Sequence, residues 1–472
     1  MSASPVSDAS TPAEPSLSVG RNLKIGLFHL GSGMADVMTT GVWNRIMISD
    51  LGFAATPIGL LIALRYFLAP LGVWAGRTSD ARTLLGYRRL SWIWLGRAMM
   101  ALSVVMLGII TSNVVRGFET TALTWIVIGV GLLLFSLGNA LSGSTFLALI
   151  YDRSGEQQRT RSVAIVWTFL LLGFTVGGIF FGVLLPSPEA GGVGPGYTAE
   201  QLEVLFLAAA AALGGLWFFS LLGEERRNTA LRSQQAQREG AAGSIRGDLR
   251  LAWSSRPTRM FFWFLGLSML FAFSQDLILE PFAGDVFGMS ARVTTRFAAY
   301  WGTMSILATV ILIVLSRRVR WMTNARMSAA GVVVLIVTFG LLAFSSLAGI
   351  RGLVTPALIT LGIGLGIWNV GALGMMMDMS PLGKAGTFLG FWTLTVTFAR
   401  GIGVAGGGVL RDLFLALGGG SYGLAYGLAF LIGAIGLGVS LWALSRVNLR
   451  AYHASQPAAP APAEQVFAGG MD

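Results

Sequence analysis

The sequence predicts an all-α polytopic membrane protein whose twelve transmembrane helices form two six-helix halves. Three observations predict it. Of 472 residues, 54% are hydrophobic and only 12% are charged, with a mean hydropathy of +0.70. Apolar segments of about 20 residues, the length that crosses a bilayer, recur along the chain. One long polar stretch divides these segments six and six. Such a chain is too apolar for a soluble domain built around one core. A net charge of +11 would suggest nucleic acid in a soluble domain. Here the arginines collect in alternate loops, the pattern of cytoplasmic orientation, so anionic lipid headgroups are the expected partner and nucleic acid is not. The chain has no cysteine, which excludes disulfides, thiolate metal sites and cysteine nucleophiles.

Residues 1–22 are rich in Ser, Ala and Pro and lack the basic-then-apolar order of a signal peptide, so a disordered cytoplasmic tail is expected. The first half, 23–222, carries spans near 24–48, 55–76, 91–111, 122–150, 163–185 and 202–222. A polar cytoplasmic linker, 223–258, follows, with Arg226, Arg227, Arg232, Arg238, Arg246 and Arg250. The second half, 259–446, carries spans near 259–279, 293–315, 327–347, 353–376, 385–409 and 422–445, before an Ala/Pro-rich cytoplasmic tail at 447–472. Arg77, Arg82, Arg88 and Arg89 after span two, and Arg317, Arg318, Arg320 and Arg326 after span eight, mark the cytoplasmic face. The opposite loops are poor in positive charge: 186–203 holds Glu189, Glu200 and Glu203, and 348–354 only Arg351. Both termini therefore read as inside.

The halves show weak self-similarity. Gly129-x-Gly131-Leu132 followed by Gly138 in span four recurs as Gly362-x-Gly364-Leu365 followed by Gly371 in span ten. Parallel six-span repeats are the architecture of the major facilitator superfamily. The loop Gly76 to Arg89, with Asp80, Arg82, Gly86 and the pair Arg88-Arg89, resembles that superfamily's loop signature. Asp80 is expected to cap a helix or to pair with an arginine across the half interface, biasing one state of a rocking pair. Glycines four apart, Gly173/Gly177, Gly178/Gly182, Gly362/Gly366 and Gly403/Gly407, let helix backbones approach closely.

Intramembrane charges are few, and each invites a partner or a task, because a charge in hydrocarbon costs roughly 2.5 kcal/mol or more. Asp36, Arg65 and Arg400 fall near mid-depth, as pairs or as the lining of a cavity; Arg45 and Arg97 fall near span ends and are expected to snorkel. The segment from Gln275 to Gly288 places an amide and three carboxylates, Asp276, Glu280 and Asp285, where a helix from Arg259 to Leu279 leaves the bilayer. On one helix Asp276 and Glu280 share a face, and Arg45 neutralises one of them from the facing half. His29, near the start of span one, reads as a satisfied polar side chain near the interface; a neutral imidazole there is also able to ligate a magnesium macrocycle. No P-loop, dinucleotide fingerprint, zinc motif or catalytic triad is visible, so neither an enzyme nor a metal site is expected.

Three blocks carry a family resemblance: Gly41-Val42-Trp43-Asn44-Arg45-Ile46-Met47 through Asp50-Leu51-Gly52, Ala69-Pro70 through Ser79-Asp80 to Gly86-Tyr87-Arg88-Arg89 and Trp92-Ile93-Trp94, and Gln275-Asp276-Leu277-Ile278-Leu279-Glu280-Pro281 through Asp285-Val286-Phe287-Gly288. In these the chain resembles the PucC/LhaA family, the bacteriochlorophyll delivery branch of the superfamily in phototrophic bacteria. The resemblance implies an assembly factor for light-harvesting complexes that carries bacteriochlorophyll as cargo to antenna polypeptides in the inner or intracytoplasmic photosynthetic membrane. It also implies contact with pigment-synthesis or membrane-insertion machinery. Asn44, Arg45, Gln275, Asp276, Glu280 and Asp285 are the residues expected to grip pigment or partner. The rival reading is a proton-coupled carrier in which Asp36 or Asp276 titrates while Arg65 and Arg400 bind an anionic solute.

Overall fold

The computed structural model describes residues 17–186, 197–225, 256–316, 318–319, 321–380 and 385–447. The expectations for the N-terminal tail before residue 17, for the linker at 226–255, for the C-terminal tail after 447 and for Glu189, Arg317 and Arg320 lie outside the described residues. Among the described residues the regular elements are helical, apart from a single bridge between Leu84 and Tyr87.

The first span is α1 (Val19–Asp36), which runs on through π-helical turns at Val37–Trp43 and Ile46–Asp50. Then come α2 (Ala55–Phe67), α3 (Ala69–Ala81), α4 (Leu90–Val115), α5 (Ala122–Arg153), α6 (Glu156–Leu184) and α7 (Ala199–Phe219). The second half runs α8 (Arg256–Ala272), α9 (Leu279–Phe287), α10 (Ala291–Thr294), α11 (Phe297–Ser316), α12 (Asn324–Ala348), α13 (Val354–Asp378), α14 (Ala385–Leu417) and α15 (Tyr422–Ser445). Among the described residues, ten helices are long and apolar enough to cross a membrane, and only 28% to 56% of the most apolar window of each is buried within the protein. The rest of that apolar surface, with Leu102, Ile126, Val310, Ile311 and Phe344 exposed, is stable only against lipid. The segments expected as spans one and seven are the two that fall outside these ten.

Packing repeats between the halves. In the first, α1 lies on α6, α4 on α5 and α7, and α3 on α5; in the second, α8 lies on α14, α12 on α13 and α15, and α11 on α13. Two glycines of the repeat have one structural cause in both halves. A Cβ at Gly131 would meet Leu107 of α4 at 3.3 Å, and one at Gly364 would meet Leu335 of α12 at 2.9 Å. Gly138 likewise packs on Gly96 of α4, as Gly371 packs on Ser328 of α12. Span three therefore stands to span four as span nine stands to span ten.

The halves meet along two seams, α2 on α14 and α6 on α11. Small residues make both close: a Cβ on Gly408 would lie 2.6 Å from the Ala55 carbonyl, and one on Gly178 would lie 2.9 Å from the Ala299 amide. The other glycine pairs serve packing too, Gly173 against Gly33, Gly177 against Met34, Gly362 and Gly366 against α11, and Gly403 and Gly407 against the α8 segment.

Candidate functional site

Two irregular segments face each other across the middle of the molecule. In the first span the Thr39 hydroxyl donates to the Ala35 carbonyl at 3.1 Å, and the Thr40 hydroxyl donates to the Asp36 carbonyl at 2.7 Å. Hydroxyls that bond back one turn compete with backbone amides for the same carbonyls. The ladder widens to π spacing here, with the Asn44 amide reaching the Thr39 carbonyl. π turns are rare and gather at functional sites.

Opposite, Pro281 has no N–H and cannot satisfy the Leu277 carbonyl one turn back. The Asn44 side-chain amide does so instead, donating at 2.7 Å from the other half. The single helix expected from Arg259 to Leu279 is therefore not formed: α8 ends at Ala272, residues 273–278 turn, and α9 starts at Leu279. Asp276 sits in that turn rather than on a helical face with Glu280, although both line the same cleft. These acids do not lie at the lipid boundary. They are enclosed between the halves.

The cleft is lined by Asp36, Val37, Thr40 and Gly41 from the first span, Gln275, Asp276, Leu279 and Glu280 from the break, Phe174 and Ala298 with Trp301 from the α6–α11 seam, and Arg400. Its charges are arranged in order. Asp36 pairs with Arg65 in the first half, and Asp276 with Arg400 at 2.8 Å in the second. The Tyr66 ring lies between the two guanidiniums, 4.8 Å from Arg65 and 5.3 Å from Arg400, and its hydroxyl accepts from Arg65 at 2.8 Å. Gln275 donates to Asp276 at 2.7 Å. Four charges thus cancel in two pairs. Glu280, 6% exposed, forms no salt bridge among the described residues. The free space is about 20 Å³, room for one or two waters.

Arg45 and Asp285 belong elsewhere. Arg45 neutralises neither Asp276 nor Glu280; it pairs with Asp50 at 2.6 Å and donates to the Met289 carbonyl at 2.8 Å. Asp285 accepts from Arg411 at 2.9 Å and from the Tyr426 hydroxyl at 2.6 Å. Both lie in a polar closure that joins the halves at the Asp50 end of the bundle. Asp412 completes it, accepting from the Ala55 and Thr56 amides at 3.1 and 2.7 Å and so capping α2 from the other half. Arg411 and Asp412 escape a sequence reading that ends span eleven at 409; an adjacent Arg-Asp pair one turn past the last glycines was the available signal.

The snorkelling expected of Arg45 and Arg97 does not occur, for they are 3% and 1% exposed. Arg97 is held between the rings of Phe28 at 4.2 Å and Trp217 at 4.8 Å, a cation–π arrangement. His29 is buried among Phe28, Phe146 and Trp167, and its Nδ1 has no hydrogen-bond partner among the described residues.

At the opposite, Asp80 end, Asp80 neither caps a helix nor crosses between the halves. It pairs with Arg88 at 3.0 Å and with Arg89, which also holds Asp152 at 3.0 Å and donates to the Gly76 carbonyl. Arg82 is exposed, and Gly86 turns the loop at φ +83°. The α4 N-terminus is capped by Glu225, which accepts from the amides of Arg88 at 2.6 Å and Leu90 at 2.8 Å. Its buried neighbour Glu224 gathers Arg21, Lys24 and Arg153. Neither glutamate stands out in the sequence, where both read as the start of a polar linker.

A model of the family described as PUCC protein matches residues 42–452. Protein PucC of Rhodovulum sulfidophilum is 29% identical over 414 residues, covering 85% of this chain and 87% of that one. A Rhodobacter capsulatus protein named bacteriochlorophyll synthase 44.5 kDa chain is 28% identical over 432 residues, 87% of this chain and 93% of that one. An uncharacterized protein in the puhA-bchM intergenic region of Rhodobacter capsulatus is 26% identical over 422 residues, 87% of this chain and 83% of that one. Among solved structures, a bacterial homolog of the human lysosomal transporter Spinster, inward-facing and unoccupied, superposes with a TM-score of 0.69 at 15% identity over 94% of this chain and 98% of that one. A structure addressing substrate recognition in proton dependent oligopeptide transporters gives 0.64 at 16% identity over 92% of this chain and 100% of that one. These two establish a transporter-type fold and nothing about cargo.

Proposed function

We propose, from the premise that this chain belongs to the PUCC protein family, that it is a light-harvesting complex assembly factor which holds bacteriochlorophyll and hands it to antenna polypeptides within the membrane. One observation carries the reading: the family match spans 42–452 and takes in the second and third blocks whole and the first from Val42 onward, and the first and third meet through the Asn44 amide and the Leu277 carbonyl at 2.7 Å. Relatives named PucC and bacteriochlorophyll synthase chain support the same setting. The protein is read as a multi-pass membrane protein without catalytic activity, with both termini cytoplasmic on the evidence of its arginine-rich loops, in the inner or photosynthetic membrane. Antenna polypeptides, anionic lipid and the pigment-synthesis or insertion machinery are the partners this role requires.

A chlorin is a flat apolar ring with a long tail and one magnesium that needs a polar ligand, so it suits a groove of aromatic and small residues with a single oxygen or nitrogen donor. Phe174, Trp301, Gly41, Gln275 and Glu280 supply such a set. A cleft of about 20 Å³ admits no ring, so the reading assigns pigment to a state in which the α6–α11 seam has parted. Purification in mild detergent followed by an absorption spectrum tests it: stoichiometric far-red pigment supports the reading, and a colourless protein from pigment-replete cells counts against it. Asp276→Asn combined with Glu280→Gln is expected to lower pigment co-purification and antenna assembly; wild-type levels of both would remove the cleft from the mechanism.

A second reading, a proton-coupled carrier of a small solute, draws on the paired Asp and Arg residues in a transporter-type cleft. A colourless protein whose melting temperature rises with an added solute would favour it.

A further inference from the structure

We infer that Glu280 is a proton-binding site: its carboxylate takes up one proton from bulk solvent by way of water in the cleft and so keeps the closed arrangement of the two halves electrically neutral. The inference does not depend on the pigment reading. It starts from a count of charges. Asp36 is matched by Arg65 and Asp276 by Arg400, which leaves Glu280 as the surplus acid on the cleft wall. The residue is 6% exposed, so water cannot solvate an anion there as bulk solvent does, and a buried carboxylate without a counter-charge is strongly disfavoured.

No neighbouring group supplies that counter-charge. From the first span the charged groups facing Glu280 are Asp36, an acid already paired, and Arg45, whose guanidinium is engaged by Asp50 and the Met289 carbonyl. From its own segment comes Asp276, and from α14 comes Arg400, which Asp276 holds. Behind them α2 brings Arg65 and Tyr66, hydrogen-bonded to each other. The α6–α11 seam brings only Phe174, Ala298 and Trp301. Directly opposite Glu280 stands Gly41, where even a Cβ would lie 3.8 Å from Oε1. The first half thus offers this carboxyl a smooth apolar contact and no donor.

Position gives the proton a consequence. Glu280 belongs to the second half and Gly41 to the first, so they face each other across the cleft only while the halves are together. With the proton lost, an uncompensated carboxylate stands beside Asp276 and across from Asp36, and like charges in a poorly hydrated site repel. Deprotonation therefore favours parting of the halves at the cleft, and protonation favours closure. The cleft has room for one or two waters beside the carboxyl, and such a water can hand the proton on.

The chain has no cysteine, so spin labels at Thr83→Cys and Trp321→Cys, exposed positions at the Asp80 end of different halves, report the separation directly in pigment-free protein. The label–label distance is expected to shift between mildly acidic and mildly alkaline buffer. Glu280→Gln is expected to hold the acidic distribution at both, and Glu280→Asp to keep the response. A wild-type distance that ignores pH, or a Glu280→Gln protein that responds as wild type does, overturns the inference. Should Glu280→Gln fail to accumulate, the acid-minus-alkaline infrared difference spectrum of wild type and of Glu280→Asp decides. A protonated-carboxyl band that moves in Glu280→Asp supports the site, and no band, or an unmoved one, refutes it. None of these readouts involves pigment, so their failure leaves the absorption test of the pigment reading untouched.

Discussion

Asp276 and Arg400 are held together in an interior where neither is stable alone. Removing one member of such a pair leaves a bare buried charge, at a cost of about 3–5 kcal/mol, whereas replacing both by apolar groups of similar volume is often neutral. Arg400→Met is therefore expected to lower the melting temperature in detergent markedly, and Asp276→Leu in the same chain to restore most of the loss. Additive destabilisation in that cycle would show that the pair is not coupled. Arg97 behaves differently, because its partners are the rings of Phe28 and Trp217 and among the described residues it pairs with no carboxylate that its loss would orphan. A desolvated cation–π contact is worth about 2 kcal/mol against the cost of burying the guanidinium, so Arg97→Met is expected to change stability by no more than about 2 kcal/mol. The existence of these groups was legible, since an ionisable residue within an apolar run is conspicuous. Their pairing was not: Asp36 and Arg65 are 29 positions apart and Asp276 and Arg400 are 124 apart, and no local pattern encodes such distances.

The interrupted helices show how one residue type shapes an element and then the contact between halves. Pro281 frees the Leu277 carbonyl, and Asn44 consumes it across the interface. Asn44→Leu strands that carbonyl and is expected to cost about 1–3 kcal/mol. Pro281→Ala supplies a backbone amide one turn on, able to bond the same carbonyl within a continuous helix, so the double variant is expected to be more stable than Asn44→Leu alone in thermal unfolding. If Pro281→Ala brings no relief, the carbonyl is not what Asn44 serves. Hydropathy could not reveal this break, because a span apolar on all sides has no period to interrupt. The π turns at 37–43 were hidden for the same reason, their cause being two threonine hydroxyls rather than a change in polarity. Glycine pairs were legible because small residues four apart have one common use in a membrane, and Gly33 against Gly173 shows that use directly.

At the scale of the whole molecule the repeat was readable and the closure between its copies was not. Gly131 and Gly138 match Gly364 and Gly371 because α4 and α12 approach α5 and α13 closely in both halves, whereas Gly129 faces Leu61 of α2 and Gly362 faces Trp301 of α11. The closure at the Asp50 end has no counterpart inside either half, since it exists only where the halves meet: Arg45 on the Met289 carbonyl, and Asp412 on the amides of Ala55 and Thr56. If the molecule works by rocking one half against the other, these bonds must break for that end to open. Hydrogen bonds to a charged group contribute about 1.5–3 kcal/mol each, and 1.4 kcal/mol is about a tenfold change in population. Asp412→Ala is therefore expected to raise the open fraction at the Asp50 end about tenfold or more. Thr40→Cys, on the cleft wall and otherwise the lone thiol in a chain without cysteine, reports it through its rate of alkylation by a membrane-impermeant maleimide supplied from the Asp50 side. Adding Asp412→Ala should accelerate that labelling, and adding Arg45→Ala further should accelerate it again. Reaction rates that stay the same in both backgrounds would mean that the bonds at this end hold helix termini in place and do not gate the cleft.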